Sequence, residues 1–404
     1  MDRIVKFKKK ITENNLNENF NCIVINPETN FYLSSEKVVK KVSEIYNLAK
    51  SINLKIKEIK TIKIRRIIPS FLFGKGQVEN IKILLNRQFS KLLIVNSEVS
   101  PIQQRNLEKK LNCKILDRTA LILEIFGERA ITKQGRIQVE LAALLYQKTR
   151  LVRSWTHLER QRGGAGFMGG PGETQIESDK RQINNKIFKL KKELKKIELN
   201  RSEQRKQRNK SSIPVISLVG YTNVGKSALF NYLAKENIFV KNQLFATLDT
   251  TMRKVNLISE LYIILSDTVG FISDLPTQLI ISFKTTLEEI NFSNYIIHVI
   301  DISNPDWESQ KKIVLNTLKD ILKDNYNDEK IIEVWNKCDL LNEEKKNYYR
   351  NLIKRKKDAV LISSKNRIGK RELLKIILKK IKKYLLNFTS STYRKKVKTL
   401  LYWH

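Results

Sequence analysis

The sequence predicts a multidomain α/β protein: an N-terminal α/β domain, a long helical hairpin, and a second α/β domain in the last half of the chain. Short β-branched runs alternating with helix-like stretches predict the first part. An apolar seam with a coiled-coil period predicts the second, and apolar strands that each end in a polar motif predict the third. At 404 residues the chain is too long for one ordinary domain, and 41% hydrophobic residues can fill more than one core. The expected boundaries are 1–135, 136–212, 213–386 and a short tail, 387–404.

In the first domain, Glu36 to Ser51 reads as a helix, and NCIVIN (21–26) and KLLIVN (91–96) read as strands, the pattern of βαβ units on a parallel sheet. The glycines of FGKGQ (73–77) read as a turn. From Gln138, QVELAALLYQKTRLV reads as an amphipathic helix that breaks into RQRGGAGFMGGPGETQ. Six glycines and a proline within 163–172 fit neither helix nor strand. Beyond that loop, Ile176, Ile183, Ile187, Leu190, Leu194 and Ile197 follow spacings of 7, 4, 3, 4 and 3, a coiled-coil seam whose expected partner is the helix before the loop.

Charge is the next constraint. With 77 Lys and Arg against 41 Asp and Glu, the formal charge is +36 and the pI about 10.0, enough to gather polyanions by counterion release. A composition rich in Lys, Asn and Ile also follows from an AT-rich genome, so charge becomes an argument only where it clusters. It clusters between Lys180 and Lys210, with thirteen Lys or Arg against three Glu. A basic hairpin with a glycine tip suits insertion among RNA phosphates, and Phe167 and Met168 at the tip are candidates to touch bases or an apolar crevice.

Other chemistries find little to build on. Cys22, Cys113 and Cys338 lie far apart with no Cys-x-x-Cys pair, as expected of reduced cytosolic thiols. Three histidines, His157, His298 and His404, offer no metal cluster or catalytic triad; His298 reads as a core strand residue and His157 as a helix-end hydrogen-bonder. Apolar runs such as Tyr295–Ile300 are far shorter than a membrane span, and no apolar stretch follows the charged start MDRIVKFKKK. A soluble cytoplasmic protein is the expectation.

At Ile213 the charge gives way to the apolar strand IPVISLVG, which runs into Gly220-Tyr-Thr-Asn-Val-Gly225-Lys226-Ser227. This satisfies G-x-x-x-x-G-K-[ST] between a strand and the helix-like SALFNYLAKE. The loop amides at the helix start can wrap phosphates, Lys226 can reach the β- and γ-phosphates, and Ser227 can place its hydroxyl on Mg²⁺. Asp267-Thr268-Val269-Gly270 follows a second strand, ELYIILS, where D-x-x-G supports the magnesium shell and senses the γ-phosphate. Asn336-Lys337-Cys338-Asp339 follows a third, KIIEVW, placing Asp339 to accept from guanine N1 and N2. Ile362-Ser363-Ser364-Lys365 ends a fourth and can cover the base edge. Four such elements in order imply a P-loop GTPase (G) domain.

Between the first two elements lies the candidate switch I, Phe245-Ala246-Thr247-Leu248-Asp249-Thr250-Thr251-Met252-Arg253, with Thr247 expected to give Mg²⁺ its second protein hydroxyl and Thr250 or Thr251 as alternatives. Phe271 stands where Ras-type enzymes carry the glutamine that orients the attacking water. Slow intrinsic turnover, with help from a partner, is the expectation. Asn223 occupies the place where some potassium-activated GTPases hold K⁺, so modest K⁺ stimulation is expected.

These residues resemble the HflX-type translational GTPases over almost the whole chain. The likeness runs through FLFGKGQVENI (71–81), SPIQQRNLEKKL (100–111), LDRTALILEIF (116–126), QVELAALLYQKTRLV (138–152), GGPGETQIESDKR (169–181), GYTNVGKSALFN (220–231), FATLDTT (245–251) and DTVGFISDLPTQLI (267–280). The resemblance implies a monomeric, cytoplasmic GTPase bound to the large (50S) ribosomal subunit and its RNA, with no DNA and no membrane insertion, that splits stalled or idle ribosomes under stress or serves ribosome biogenesis. By the same matching, the GTP contacts are Gly220, Tyr221, Thr222, Asn223, Val224, Gly225, Lys226 and Ser227; Phe245 to Asp249; Asp267, Thr268, Val269 and Gly270; Asn336, Lys337, Cys338 and Asp339; and Ser363, Ser364 and Lys365. Ser227 and Thr247 are the implied Mg²⁺ ligands.

The chain departs from that pattern in places. Switch I reads DTTMR where the family commonly has a proline and two threonines, the P-loop helix begins SAL rather than STL, and little follows the helix KRELLKIILKKIKKYLL. Three other readings compete. An RNA-remodelling NTPase using a second nucleotide in the N-terminal domain lacks a second P-loop. A tRNA-modifying GTPase would end in a cysteine motif, whereas the last cysteine here is Cys338. A third, a regulatory binder without turnover, rests on Phe271.

Overall fold

The computed structural model describes residues 21–29, 35–161, 171–210, 213–234, 245, 251–258, 261–273, 276, 279, 281–283 and 289–386. They belong to two compact units, one of Met1–Ile197 with Pro276–Ser282 and one of Glu198–Leu275 with Phe283–His404.

The first unit contains a parallel sheet in the order β2-β1-β3-β4, made of β1 (Asn21–Glu28), β2 (Lys55–Lys63), β3 (Leu92–Val95) and β4 (Lys114–Asp117). Helices α1 (Ser35–Lys50), α2 (Lys75–Arg87) and α3 (Pro101–Leu111) connect the strands, the crossovers that parallel pairing requires. Ile23, Ile25, Leu93 and Val95 of the sheet bury against Val78, Ile81, Leu85 and Leu107 of the helices. The FGKGQ segment is not a turn but a helix start: the Gly74 amide donates to Gln77 Oε1 at 3.0 Å, and α2 begins at Lys75. The same device opens α3, where the Ser100 amide donates to Gln103 Oε1 at 2.9 Å and Pro101 supplies a preset φ.

Asp117 ends β4 and caps α4 (Arg118–Arg129) by accepting from the Ala120 amide at 2.7 Å. Its carboxylate also takes the Tyr146 hydroxyl at 2.7 Å and Arg150 Nη2 at 2.6 Å, rooting α5 (Lys133–Gln161) in the sheet. Helix α5 starts five residues before the expected Gln138, because the Thr132 hydroxyl accepts from the Gly135 amide at 3.0 Å and closes the first turn. Helix α6 (Pro171–Lys210) takes in Pro171 and Gly172, which the sequence assigned to the glycine loop; proline at the first helical position costs no hydrogen bond. Phe167 and Met168 lie outside the described residues, as does the side chain of His157. Ile183, Ile187, Leu190 and Leu194 of α6 pack against Leu141, Leu144 and Leu145 of α5, the seam the spacing predicted.

The second unit is built on a sheet ordered β10-β9-β8-β5-β7-β6. Its strands are β5 (Val215–Gly220), β6 (Thr251–Ile258), β7 (Leu261–Asp267), β8 (Tyr295–Asp301), β9 (Ile331–Asn336) and β10 (Ala359–Leu361), all parallel except the β6–β7 pair. Strands β5 and β8 are central and buried on both faces, as their unbroken apolar runs demand. His298, inside β8, is 1% exposed, and burial pushes its imidazole down to about 3 against the opposing pull of Glu333. Helices α7 (Lys226–Ala234), α8 (Trp307–Leu322), α9 (Glu343–Lys354) and α10 (Lys370–Leu386) complete the described α/β unit. No helix among the described residues is long and apolar enough to cross a membrane, and all three cysteines are buried thiols.

Candidate nucleotide-binding site

The site is assembled at the carboxyl ends of β5, β7, β9 and β10, where a parallel sheet directs its loops to one edge. Strand β5 delivers Gly220, after which the chain turns through Tyr221 to Gly225 into α7. A side chain at Gly220 would run into the Val299 carbonyl oxygen of β8, and at Gly225, where φ is 94°, into the Asn336 amide. Glycine at these two positions is therefore a packing requirement. Asn223, exposed, holds φ at 62°, a conformation asparagine tolerates better than most residues.

The D-x-x-G segment is laced to this loop through main chain. The Thr222 amide donates to the Phe271 carbonyl at 2.7 Å, and the Phe271 amide to the Gly220 carbonyl at 3.1 Å. The Tyr221 hydroxyl accepts from the Ser273 amide at 2.9 Å. Phe271 itself is 3% exposed, so its ring is a core element. Thr268 anchors the segment from below, donating its hydroxyl to the Leu218 carbonyl at 2.6 Å, and Val269 is buried beside it.

Lys226 is 7% exposed and folds back on the loop, donating to the Tyr221 carbonyl at 2.8 Å and the Gly220 carbonyl at 3.2 Å. Burial pushes its ammonium down to about 8, with Asp267 pulling the other way. One residue on, the Ser227 hydroxyl donates to Asp267 Oδ2 at 2.7 Å, bringing together a hydroxyl from the first turn of α7 and the carboxylate that ends β7. That is a hard-oxygen donor pair, which fits Mg²⁺ and not a soft metal. The hydroxyl of Thr222 is buried with no hydrogen-bond partner among the described residues.

On the other side of the cleft, the Asn336 amide donates to the Val224 carbonyl at 2.8 Å, and its oxygen accepts from the Ser364 amide and hydroxyl, each at 3.0 Å. One side chain therefore ties the phosphate loop to the segment after β10. Lys337 sits at φ 63° with its ammonium 2.6 Å from Asp301. The Asp339 carboxylate accepts from the Ser363 hydroxyl at 2.6 Å, and the Cys338 amide donates to the Ile362 carbonyl at 3.2 Å. Cys338 is buried, which raises its thiol. Beneath it Trp335, Trp307 and Tyr349 form an aromatic cluster with centroids 5.1 to 6.2 Å apart.

All the expected contact residues of the P-loop, D-x-x-G, N-K-x-D and Ser-Ser-Lys elements are thus placed around one edge of the sheet. Phe245 is buried at φ 53°, while Ala246, Thr247, Leu248 and Asp249 lie outside the described residues. Sequence reasoning missed Asp301, Ser273 and the main chain of Phe271, none of which belongs to a motif.

A phosphate loop and an N-K-x-D motif at the ends of parallel strands of one sheet, with a D-x-x-G segment laced to the loop, make this a P-loop GTPase, an enzyme that binds GTP and hydrolyses it. Residues 39–127 match the N-terminal region of a GTP-binding GTPase family, 129–208 its middle region, and 215–337 a family described as 50S ribosome-binding GTPase. The chain is 47% identical over 300 residues to the GTPase HflX of Magnetococcus marinus, covering 74% of this chain and 69% of that one. It is 38% identical over 310 residues to the GTPase HflX of Escherichia coli, covering 77% and 72%. The crystal structure of SsGBP in complex with GDP superposes with a TM-score of 0.50 at 25% identity, covering 89% of this chain and 98% of that one. The chain belongs to the HflX family of GTPases.

Proposed function

We propose that this GTPase works on the large ribosomal subunit in the cytoplasm, as a monomeric factor that separates stalled or idle ribosomes, and that the subunit accelerates a slow intrinsic hydrolysis. The observation that carries this reading is the joining of a GTPase site to a helix, α6, whose basic side chains from Lys180 to Lys196 all face solvent. The 50S ribosome-binding description of the family matched at 215–337 supports the same partner.

Within the cleft, the Tyr221 and Gly220 carbonyls hold Lys226 against the loop, and its ammonium serves the β- and γ-phosphates from there. Ser227 and Thr247 would hold Mg²⁺, with Asp267 supporting its shell, and the ion would neutralise charge on the phosphates. Asp339 accepts from the guanine edge, and the 363–365 segment covers the base. Phe271, with its ring in the core, offers no group to orient water, so an activating group comes from switch I or from the subunit. Asn223 at the loop tip is the residue through which K⁺ would act; equal rates in NaCl and KCl would remove that role.

The test is co-sedimentation with purified large subunits in the presence of a non-hydrolysable GTP analogue or GDP. The analogue form pellets and the GDP form stays in the supernatant. Equal pelleting would end the switch part of the reading, and no pelleting in either state would end the ribosomal part.

A further inference from the structure

We propose that Phe188 of α6 is a base-stacking residue: its ring takes an unpaired RNA base while the side chains sharing its helix face hold the adjoining phosphates. This rests on the RNA-directed reading of the hairpin given above.

Phe188 is 69% exposed. A single exposed Phe is ordinary in itself; what distinguishes this one is its surroundings. Arg181, Asn184, Asn185, Lys191, Lys192 and Lys195 lie seven, four or three positions away on either side, so they share its face of the helix. All six are exposed, and none is acidic or apolar. The ring is not a misplaced core residue, because the apolar seam of this helix is already formed by Ile183, Ile187, Leu190 and Leu194 against α5. Between Lys180 and Lys196 there are eight Lys or Arg against one Glu, and none of the eight forms an ion pair among the described residues.

A face with this composition selects its partner. The lysines call for closely spaced anions, and the ring calls for a flat apolar surface at the same height. Single-stranded or looped RNA supplies both from one nucleotide, since a splayed base exposes its π-face beside its own phosphate. The two asparagine amides add donors and acceptors for a base edge. From Arg181 to Lys195 the face is about 21 Å long at 1.5 Å per residue, room for a short run of nucleotides.

The experiment uses the full chain with Phe188→Trp, Phe188→Leu and Phe188→Ala, each checked for unchanged melting. Affinity is measured for purified large subunits and, separately, for a short single-stranded RNA. Stacking predicts that Trp binds at least as tightly as Phe, while Leu and Ala both lose about tenfold on both targets. Leu binding as well as Phe would overturn the proposal, because apolar area alone would then suffice. So would an unchanged Ala variant on subunits that the wild-type chain binds, which leaves the ribosomal reading intact. If the wild-type chain ignores subunits but the Trp, Leu and Ala order holds on RNA, the ribosomal reading fails and the stacking residue stands.

Discussion

At the nucleotide cleft the cation meant for phosphate is buried, 7% exposed, and held by two carbonyls of its own loop. On α6 the cations are the reverse: eight between Lys180 and Lys196, all exposed, none paired among the described residues. A buried ammonium is desolvated in advance and acts strongly on one group at one place. Exposed ammoniums act weakly, add up, and are screened by salt. The cations of the two regions should therefore fail differently under mutation: the one in the cleft as a single residue, those of the helix by accumulated charge.

The largest effect is expected from Lys226→Ala. Turnover should fall roughly 1,000-fold, in the range for removing a preorganised transition-state charge. The nucleotide-free variant should melt higher than wild type, because burying an ammonium costs folding energy that alanine does not. Calorimetric melting with steady-state kinetics checks both, and a variant that melts lower would break the idea that this lysine is kept at the expense of stability.

Asn336→Ala comes next. It removes one donor and one acceptor that serve Val224 and Ser364, leaving buried partners unmet at about 1–3 kcal/mol for each. GTP affinity should drop on the order of 100-fold, with a lower melting point, measured by titration of a fluorescent analogue. Loss of affinity at constant melting temperature would mean that the residue serves only the base and not the loop.

A smaller effect comes from pH. With Lys226 titrating at about 8 in the free chain and higher once phosphate is bound, binding takes up a proton above that value. Affinity should be flat below pH 7 and fall by up to about tenfold per unit above 8. For folding the sign is opposite: the unfolded lysine, at its ordinary 10.5, holds its proton longer, so its share of stability rises as pH climbs past 8. Titration calorimetry in two buffers of different ionisation heat reads the proton directly.

The smallest is Lys195→Ala on α6, expected to weaken subunit binding only about twofold to threefold while lowering the slope of log affinity against log salt by nearly one. A tenfold loss from this one substitution would show that this lysine makes a specific contact of its own and that the contrast between the two sets of cations is too sharply drawn.

Much of this was legible in advance because it rests on local rules. The strand-loop-helix of 215–234 shows in its apolar run and glycine spacing, and the α6 seam shows in its 3.5-residue period. What was hidden depends on partners distant in sequence. The spacing of Asn336 marks it as part of a base-reading motif, but nothing in the sequence says that its amide braces Val224, over 100 positions away. Phe271 reads as a missing glutamine, yet its main chain fastens the phosphate loop whatever its side chain. FGKGQ misleads because glycine marks turns and helix starts alike, and only the reach of Gln77 back to the Gly74 amide separates them.

The central claim, that the nucleotide cleft is a slow enzyme by itself and that the large subunit is its activator, is tested most directly by GTP turnover with and without purified large subunits. The account predicts stimulation above about tenfold, as expected when a partner supplies a missing activating group. Stimulation below about twofold, with the intrinsic rate already that of a fully activated GTPase, would contradict it.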